Sequence, residues 1–290
     1  MLRVEGALPA HTPPARLNRK DFMDSDRTDS AALQIARAFV SARDRAVPLV
    51  DFPGPLPGDM RYAYTVQEAA IGLRQDTVAG WKVGLVPPPE QAALRATRLA
   101  GPIFSSTVFR ADAAIRLPAI TGGFAAIEVE LVAAVGRDAP PEKTDWTAAE
   151  AATMVGAWHL GVEFAASPLP TINDLGAAVV VCDFGNNSGL VVGARIEAAD
   201  PAQLACRTTI DGKQVGQASA AGLPGGPLES LRFLLGHLAA RRRPLRVGDW
   251  VSTGAITGVH RVVPGQHASA ELLGRERIDV SIVPARAPGA

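Results

Sequence analysis

Two cysteines in 290 residues, Cys182 and Cys206, are too few and too far apart for a disulfide framework or a CxxC pair. Both are expected to be small buried hydrophobes in a reducing compartment. No apolar run approaches the length of a membrane span. Neither sign of charge is in excess, with 29 basic against 29 acidic residues, so nothing argues for nucleic acid or a membrane surface as partner. The short run Arg241–Arg243 ahead of Pro244 reads as a solvated helix end. No two of the five histidines are spaced as an HxxH ligand pair, and His159 reads as a core-edge residue on a helix. GLPGGP lacks the Lys-Ser/Thr ending of a phosphate loop, and neither GxSxG nor a Ser/His/Asp order is legible.

What is present is apolar: hydrophobic residues make up 47% of the chain, ample for a sizeable core. The N-terminal stretch, rich in Pro, Arg and Ala, lacks the apolar segment of a secretory signal. It is expected to be a disordered tail over 1–27, with Met23 a candidate start and the cytoplasm the default location. An amphipathic helix is expected from Asp29 to Arg45 and another from Thr65 to Ala79, together a small helical N-terminal unit over 28–79. From Gly80 the pattern turns to short strands with Gly and Pro breaks. Helices are expected near Glu90–Arg98, over TAAEAATMVGAWHLG and over PLESLRFLLGHLAARR. Two strands are expected within 177–193, and a hairpin turning at Asp211-Gly212. Strands outnumber helices without alternating with them. That predicts an α+β domain over 80–290 with a curved or rolled mixed sheet, not a doubly wound one.

Three carboxylates stand out in this pattern. Glu128 and Glu130 lie in AAIEVELVAAV, and Glu163 lies in HLGVEFA. On a strand, residues two apart share a face, so the two glutamates point away from Ile127, Val129 and Leu131. Two readings follow. The glutamates face solvent, or they are half-buried, where their repulsion and lost hydration call for a compensating cation. A third carboxylate nearby would complete an oxygen-rich site for Mg²⁺ or Mn²⁺.

The order GWKVGL, paired ExE, isolated Glu, then Gly248-Asp249 and Thr253-Gly254 resembles the fumarylacetoacetate hydrolase superfamily. Its 2-keto-4-pentenoate hydratase and 4-oxalocrotonate decarboxylase branch is the nearest in pattern. The resemblance runs from about residue 60 to 283. It implies a twisted mixed β-roll with outer helices and a divalent metal, Mg²⁺ or Mn²⁺, held by Glu128, Glu130 and Glu163. It also implies a catalytic lysine at Lys82, a homo-oligomer, and short 2-oxo or 2-hydroxydienoic acids as substrates. Lys82 is expected to be desolvated beside a cation, lowering its pKa for proton shuttling, or else to stay charged and hold the substrate carboxylate. Thr253 is the expected hydroxyl donor to that carboxylate. Asn186 and Asn187 fall in a region that supports the site, with Asn187 the expected substrate contact.

Three departures from the family pattern accompany the match. Ser106 stands where many hydratases carry an aspartate, and a serine there can hold a water but has no useful pKa. Ala166-Ser167-Pro168 replaces the usual Asp-Ser-Arg, and Val86 replaces the usual Thr or Ser. A hydratase is the leading expectation. A decarboxylase, a C–C bond hydrolase and a non-catalytic metal-binding relative are its rivals.

Overall fold

The computed structural model describes residues 19–111, 114–197 and 200–287. Positions 1–18 of the expected tail lie outside the described residues. The chain enters as two helices, α1 (Arg19–Asp44) and α2 (Met60–Leu73). The second starts where Asp59 accepts the Tyr62 N–H at 2.8 Å, ahead of the expected Thr65, because the cap satisfies an otherwise orphaned amide. Next come β1 (Val78–Leu85), α3 (Pro88–Leu94), β2 (Arg98–Phe104), β3 (Val108–Arg110), β4 (Ile115–Ala119) and β5 (Phe124–Val135). They are followed by α4 (Ala148–Ala152), β6 (Val155–Ser167), α5 (Ala177–Cys182) and β7 (Asn187–Arg195). The rest is β8 (Ala205–Ile210), β9 (Lys213–Ser219), α6 (Gly226–Ala240), β10 (Trp250–Ser252), β11 (His260–Arg261), β12 (His267–Leu272) and β13 (Glu276–Pro284).

Two sheets form the body. One runs β2-β1-β10-β5-β6-β7-β3, with β11 also paired to β5; the other runs β4-β13-β12-β8-β9. Three pairings are parallel, β1–β10, β3–β7 and β4–β13, and the remainder antiparallel, so the expected mixed α+β architecture is what the chain adopts. Ile127, Val129 and Leu131 of β5 pack with Leu160, Val162 and Phe164 of β6 against the second sheet's Ala270, Ile278 and Val280. The opposite face is covered by helices: Phe39 of α1, Val66 of α2, Val179 of α5 and Leu234 of α6 share one core with Trp81 and Val83 of β1. Sandwiched between these layers, β5 is buried along almost its whole length. That rules out the solvent-facing reading of its glutamates.

Three local expectations are corrected. TAAEAATMVGAWHLG is helical only over α4, where Thr147 and Glu150 form a capping box; from Val155 it is strand, and so is His159. The override is long-range, because this segment pairs with β5 from Val155↔Val135 to Ser167↔Phe124. Within 177–193 the first expected strand is α5, whose six residues are all buried. Arg241 is no solvated helix end: its guanidinium bonds Glu68 at 2.6 Å and lies over the Tyr64 and Trp81 rings, while Arg243 also pairs with Glu68. The Asp211-Gly212 turn forms as expected, with both residues at positive φ (48° and 78°) joining β8 to β9.

Candidate metal centre and cavity

The ladder between β5 and β6 sets Glu128 directly opposite Glu163, and Glu130 opposite Gly161. All three carboxylates therefore project from one face, and each offers an oxygen within 4.8 Å of the others. None is solvated, with exposures of 6% for Glu128 and 0% for Glu130 and Glu163. One Glu130 oxygen accepts from Ser252 Oγ at 2.5 Å and from the Gly254 N–H at 2.7 Å. One Glu163 oxygen faces Lys82 Nζ at 3.3 Å and accepts from Asn187 Nδ2 at 3.2 Å. The second oxygens, Glu130 Oε1 and Glu163 Oε2, are buried without a hydrogen-bond partner.

An unpartnered buried carboxylate oxygen is costly, and two in one cluster are costlier. Burial pushes Glu128 up to about 7; Lys82 pulls it back and Glu163 raises it further. Burial also lifts Glu130 well above the usual carboxylate range, with Glu163 and Glu128 repelling its charge. Among these carboxylates alone, burial pulls the Lys82 pKa down, but the fields of Glu163, Glu128 and Glu130 outweigh that and raise it. The expected lowering belongs to a site that holds a cation. The donor set is hard, anionic and preformed, with two oxygens free to coordinate, so these residues fit a divalent cation such as Mg²⁺ or Mn²⁺.

Beside the triad opens a cavity of about 450 Å³, a size suited to a small organic ligand. Lys82, Glu128, Asn186 and Thr253 line it together with apolar Leu99 and Val259. Lys82 reaches it because the parallel pairing of β1 with β10 places Lys82 level with Ser252, which itself pairs with Val132 of β5. Phe184, Gly185 and Asn186 form a turn with φ of 56°, 64° and 55°, a left-handed run unusual for a phenylalanine. It brings Asn186 to the cavity and Asn187 under Glu163. Gly185 faces Gly101 of β2 so closely that a Cβ on Gly101 would lie 2.1 Å from the Phe184 carbonyl oxygen.

The other expected site residues are distributed unevenly. Thr253 lines the cavity, but its hydroxyl donates to the Leu131 carbonyl at 2.7 Å. Asn187 is buried against Glu163 and acts on the carboxylate, not on the cavity. Ser106 is exposed, donates to Asp76 and is not among the cavity's lining residues. Next to Ala166, where the Asp-Ser-Arg pattern is lost, Arg43 of α1 donates to the Ala166 carbonyl and pairs through two bonds with buried Asp183. Sequence reasoning missed the roles of Ser252 and Gly254 in cradling Glu130, since only the β10–β5 pairing brings them there. It also missed Arg98 on the cavity wall.

Two sheets with a carboxylate triad on the central antiparallel pair define a fold class that comparison recognises. A family model described as fumarylacetoacetate (FAA) hydrolase C-terminal matches residues 77–285, and the chain belongs to that family. It is 28% identical over 241 residues to a 2-keto-4-pentenoate hydratase of Burkholderia vietnamiensis, across 80% of this chain and 88% of the relative. It is 25% identical over 246 residues to the enzyme of that name from Paraburkholderia phymatum, with the same coverage. Among solved structures it is similar in fold to 4-oxalocrotonate decarboxylase from Pseudomonas putida G7, complexed with magnesium and adipate. There the TM-score is 0.71 at 20% identity, over 88% of this chain and 98% of that one. Fumarylpyruvate hydrolase from Pseudomonas aeruginosa, in complex with Mn²⁺ and pyruvate, gives a TM-score of 0.53 at 18% identity, over 73% and 94%. Among the described residues no helix is long and apolar enough to cross a membrane.

Proposed function

We propose that this protein is a divalent-metal-dependent lyase that hydrates a short 2-hydroxydienoic acid, of the type of 2-hydroxypenta-2,4-dienoate, to a 4-hydroxy-2-oxo acid. The observation that carries the reading is the pair of buried, unpartnered oxygens on Glu130 and Glu163 beside Glu128. Kinship with the two hydratases supports the choice of reaction. Glu128, Glu130 and Glu163 would hold Mg²⁺ or Mn²⁺, which supplies Lewis-acid polarisation of the substrate's 2-oxygen and neutralises its 1-carboxylate.

The chain's own groups do the rest. Lys82, which lines the cavity beside Glu163, would bind the substrate carboxylate. Asn187 and Ser252 hold Glu163 and Glu130 in the rotamers that direct their free oxygens inward. Apolar Leu99, Val180 and Val259 keep bulk water from the chain of the substrate. The net change is ketonisation of the dienol, followed by addition of one water across the remaining double bond, with H and OH both taken from that water. Among the described residues no histidine lines the cavity, which disfavours the C–C hydrolase alternative with its His/Glu water activation. Decarboxylation of a 2-oxo acid remains the rival within the same site.

The test is calorimetric titration with Mg²⁺ and Mn²⁺, with and without pyruvate or oxalate, for the wild type and Glu163→Gln. It is followed by the loss of 2-hydroxypenta-2,4-dienoate absorbance and by CO₂ release from a 2-oxo-enedioate. The expected result is metal binding strengthened by the 2-oxo acid, lost in the variant, and metal-dependent dienoate consumption without CO₂. Wild-type protein that binds neither metal under either condition would sink the reading.

A further inference from the structure

A second cavity, of about 250 Å³, takes no part in the proposed reaction. It shares no lining residue with the first: Asn186 lines one and Asn187 the other. Three arginines line it, Arg43 in the last turn of α1, Arg74 just past α2 and Arg286 beyond β13. Two carboxylates stand against them. Asp183 is fully buried and held by Arg43 through two bonds, and Asp44 accepts from Arg74 Nη1 at 2.8 Å. Arg286 is exposed and, among the described residues, has no ion-pair partner. Three guanidiniums against two carboxylates leave one positive charge unbalanced.

Arg74 is the group most open to a new partner. Its Nε is buried without a hydrogen bond, and its tie to Asp44 is of the weak surface kind, since the Asp44 side chain is 55% exposed. A carboxylate can take Nε and one Nη of an arginine together, which would satisfy the orphaned donor. Arg43 has no such freedom: Nε and Nη2 are on Asp183 and Nη1 is on Ser188. The rest of the wall is largely apolar. Phe104 and Phe184 meet edge to face at 5.0 Å, with Arg74 over the first ring and Arg43 over the second. Exposed Pro118 and half-buried Ile120 extend that surface. A bare inorganic anion would balance the charge and leave the apolar wall in water. A flat apolar body bearing one carboxylate meets both demands in a space this small.

We propose that this cavity is a ligand site separate from the metal centre, for a small arene monocarboxylate. Its carboxylate would lie on Arg74 and Arg286, and its ring against Pro118 and Ile120. Asn187 also lines the cavity, and its Nδ2 bonds Glu163, so an occupant packs beside a side chain that orients one of the triad's carboxylates.

The experiment titrates benzoate, benzamide and inorganic phosphate by calorimetry into Mn²⁺-loaded protein, with oxalate present to occupy the metal cavity. Wild type, Arg74→Met and Arg286→Gln are compared. One equivalent of benzoate is expected to bind to the wild type, with benzamide and phosphate at least about tenfold weaker, the lower end for a charged hydrogen bond. Arg74→Met is expected to weaken benzoate by about tenfold or more, and Arg286→Gln by about threefold, because that side chain is exposed. The second variant alters only an exposed side chain and keeps the test open should Arg74→Met not fold. Wild-type protein that takes up no benzoate overturns the site, and so does wild-type affinity in either variant. Phosphate bound as tightly as benzoate overturns the arene carboxylate as its ligand.

Discussion

Replacing Gly101 by alanine tests whether the close approach of β2 to the Phe184–Asn186 turn holds the site together. The new Cβ would lie 2.1 Å from the Phe184 oxygen, 2.7 Å from its carbonyl carbon and 2.9 Å from Gly185 Cα. Each of these is backbone, so no rotamer change relieves the clash, and the turn must retreat by about 1 Å to restore ordinary contact. Overpacking in a core costs about 1–3 kcal/mol, and the upper end applies where only backbone can move. At roughly 2 °C per kcal/mol for a chain of this size, Tm should fall by about 6 °C. The same displacement carries Asn187 away from Glu163 and loosens Lys82, whose Cδ would lie 3.3 Å from a Cβ on Gly185. Mn²⁺ affinity should therefore drop about tenfold or more, the scale of an outer-shell defect. Gly72→Ala is the control: Gly72 is exposed near the end of α2 with nothing within 4 Å, so the identical change should stabilise by about 0.5–1 kcal/mol. Thermal melts and calorimetry read both variants. A Gly101→Ala protein with wild-type Tm and wild-type metal affinity would refute the reasoning.

Asn187→Ala should weaken Mn²⁺ binding about 10–100-fold, because Glu163 then keeps only Lys82 as a partner to orient it; an unchanged Kd would show that the bond is incidental. His237 should make the protein acid-sensitive. Burial, with Arg241 adding to it, holds its pKa down to about 3, against 6.5 for a free imidazole. Between those values the unfolded chain binds a proton that the folded one refuses, so stability is full above pH 6.5 and is lost as pH falls toward 3. The slope is up to about 1.4 kcal/mol per pH unit. In His237→Gln the denaturation midpoint should fall less steeply with pH over that window, and equal slopes would exclude the imidazole as the cause. Breaking the Arg43–Asp183 pair by Arg43→Met should cost about 3–5 kcal/mol, since Asp183 is fully buried; denaturant midpoints compared at one pH read the loss.

The parts of the site that could be read from the sequence were those with a short-range signature. Period-two alternation in IEVEL placed Glu128 and Glu130 on one face, and the structure puts them there together with Glu163. The family pattern pointed to Lys82, which lies 3.3 Å from Glu163. What escaped was whatever depends on pairings distant in sequence. Val155–Gly161 looked helical as the continuation of TAAEAATM, and only the β5 ladder turns it to strand. Ser252 and Gly254 carry no local sign of serving Glu130, and Arg98 looked like the end of a helix. The AAVVVC segment is β-branched yet helical, because α5 lies buried in the helical layer with α2.

The parallel pairing of β1 with β10 has a consequence for synthesis. Lys82 leaves the ribosome early, yet the strand beside it ends at Ser252, and the amide that helps hold Glu130 belongs to Gly254. Until that late segment emerges, three acidic side chains and a lysine lie on an unfinished sheet with no wall on one side. The hydrogen bonds that hold Glu130 are thus complete only once this late segment is in place. A chain ending short of residue 252 should bind metal about 10–100-fold more weakly, as calorimetry would read.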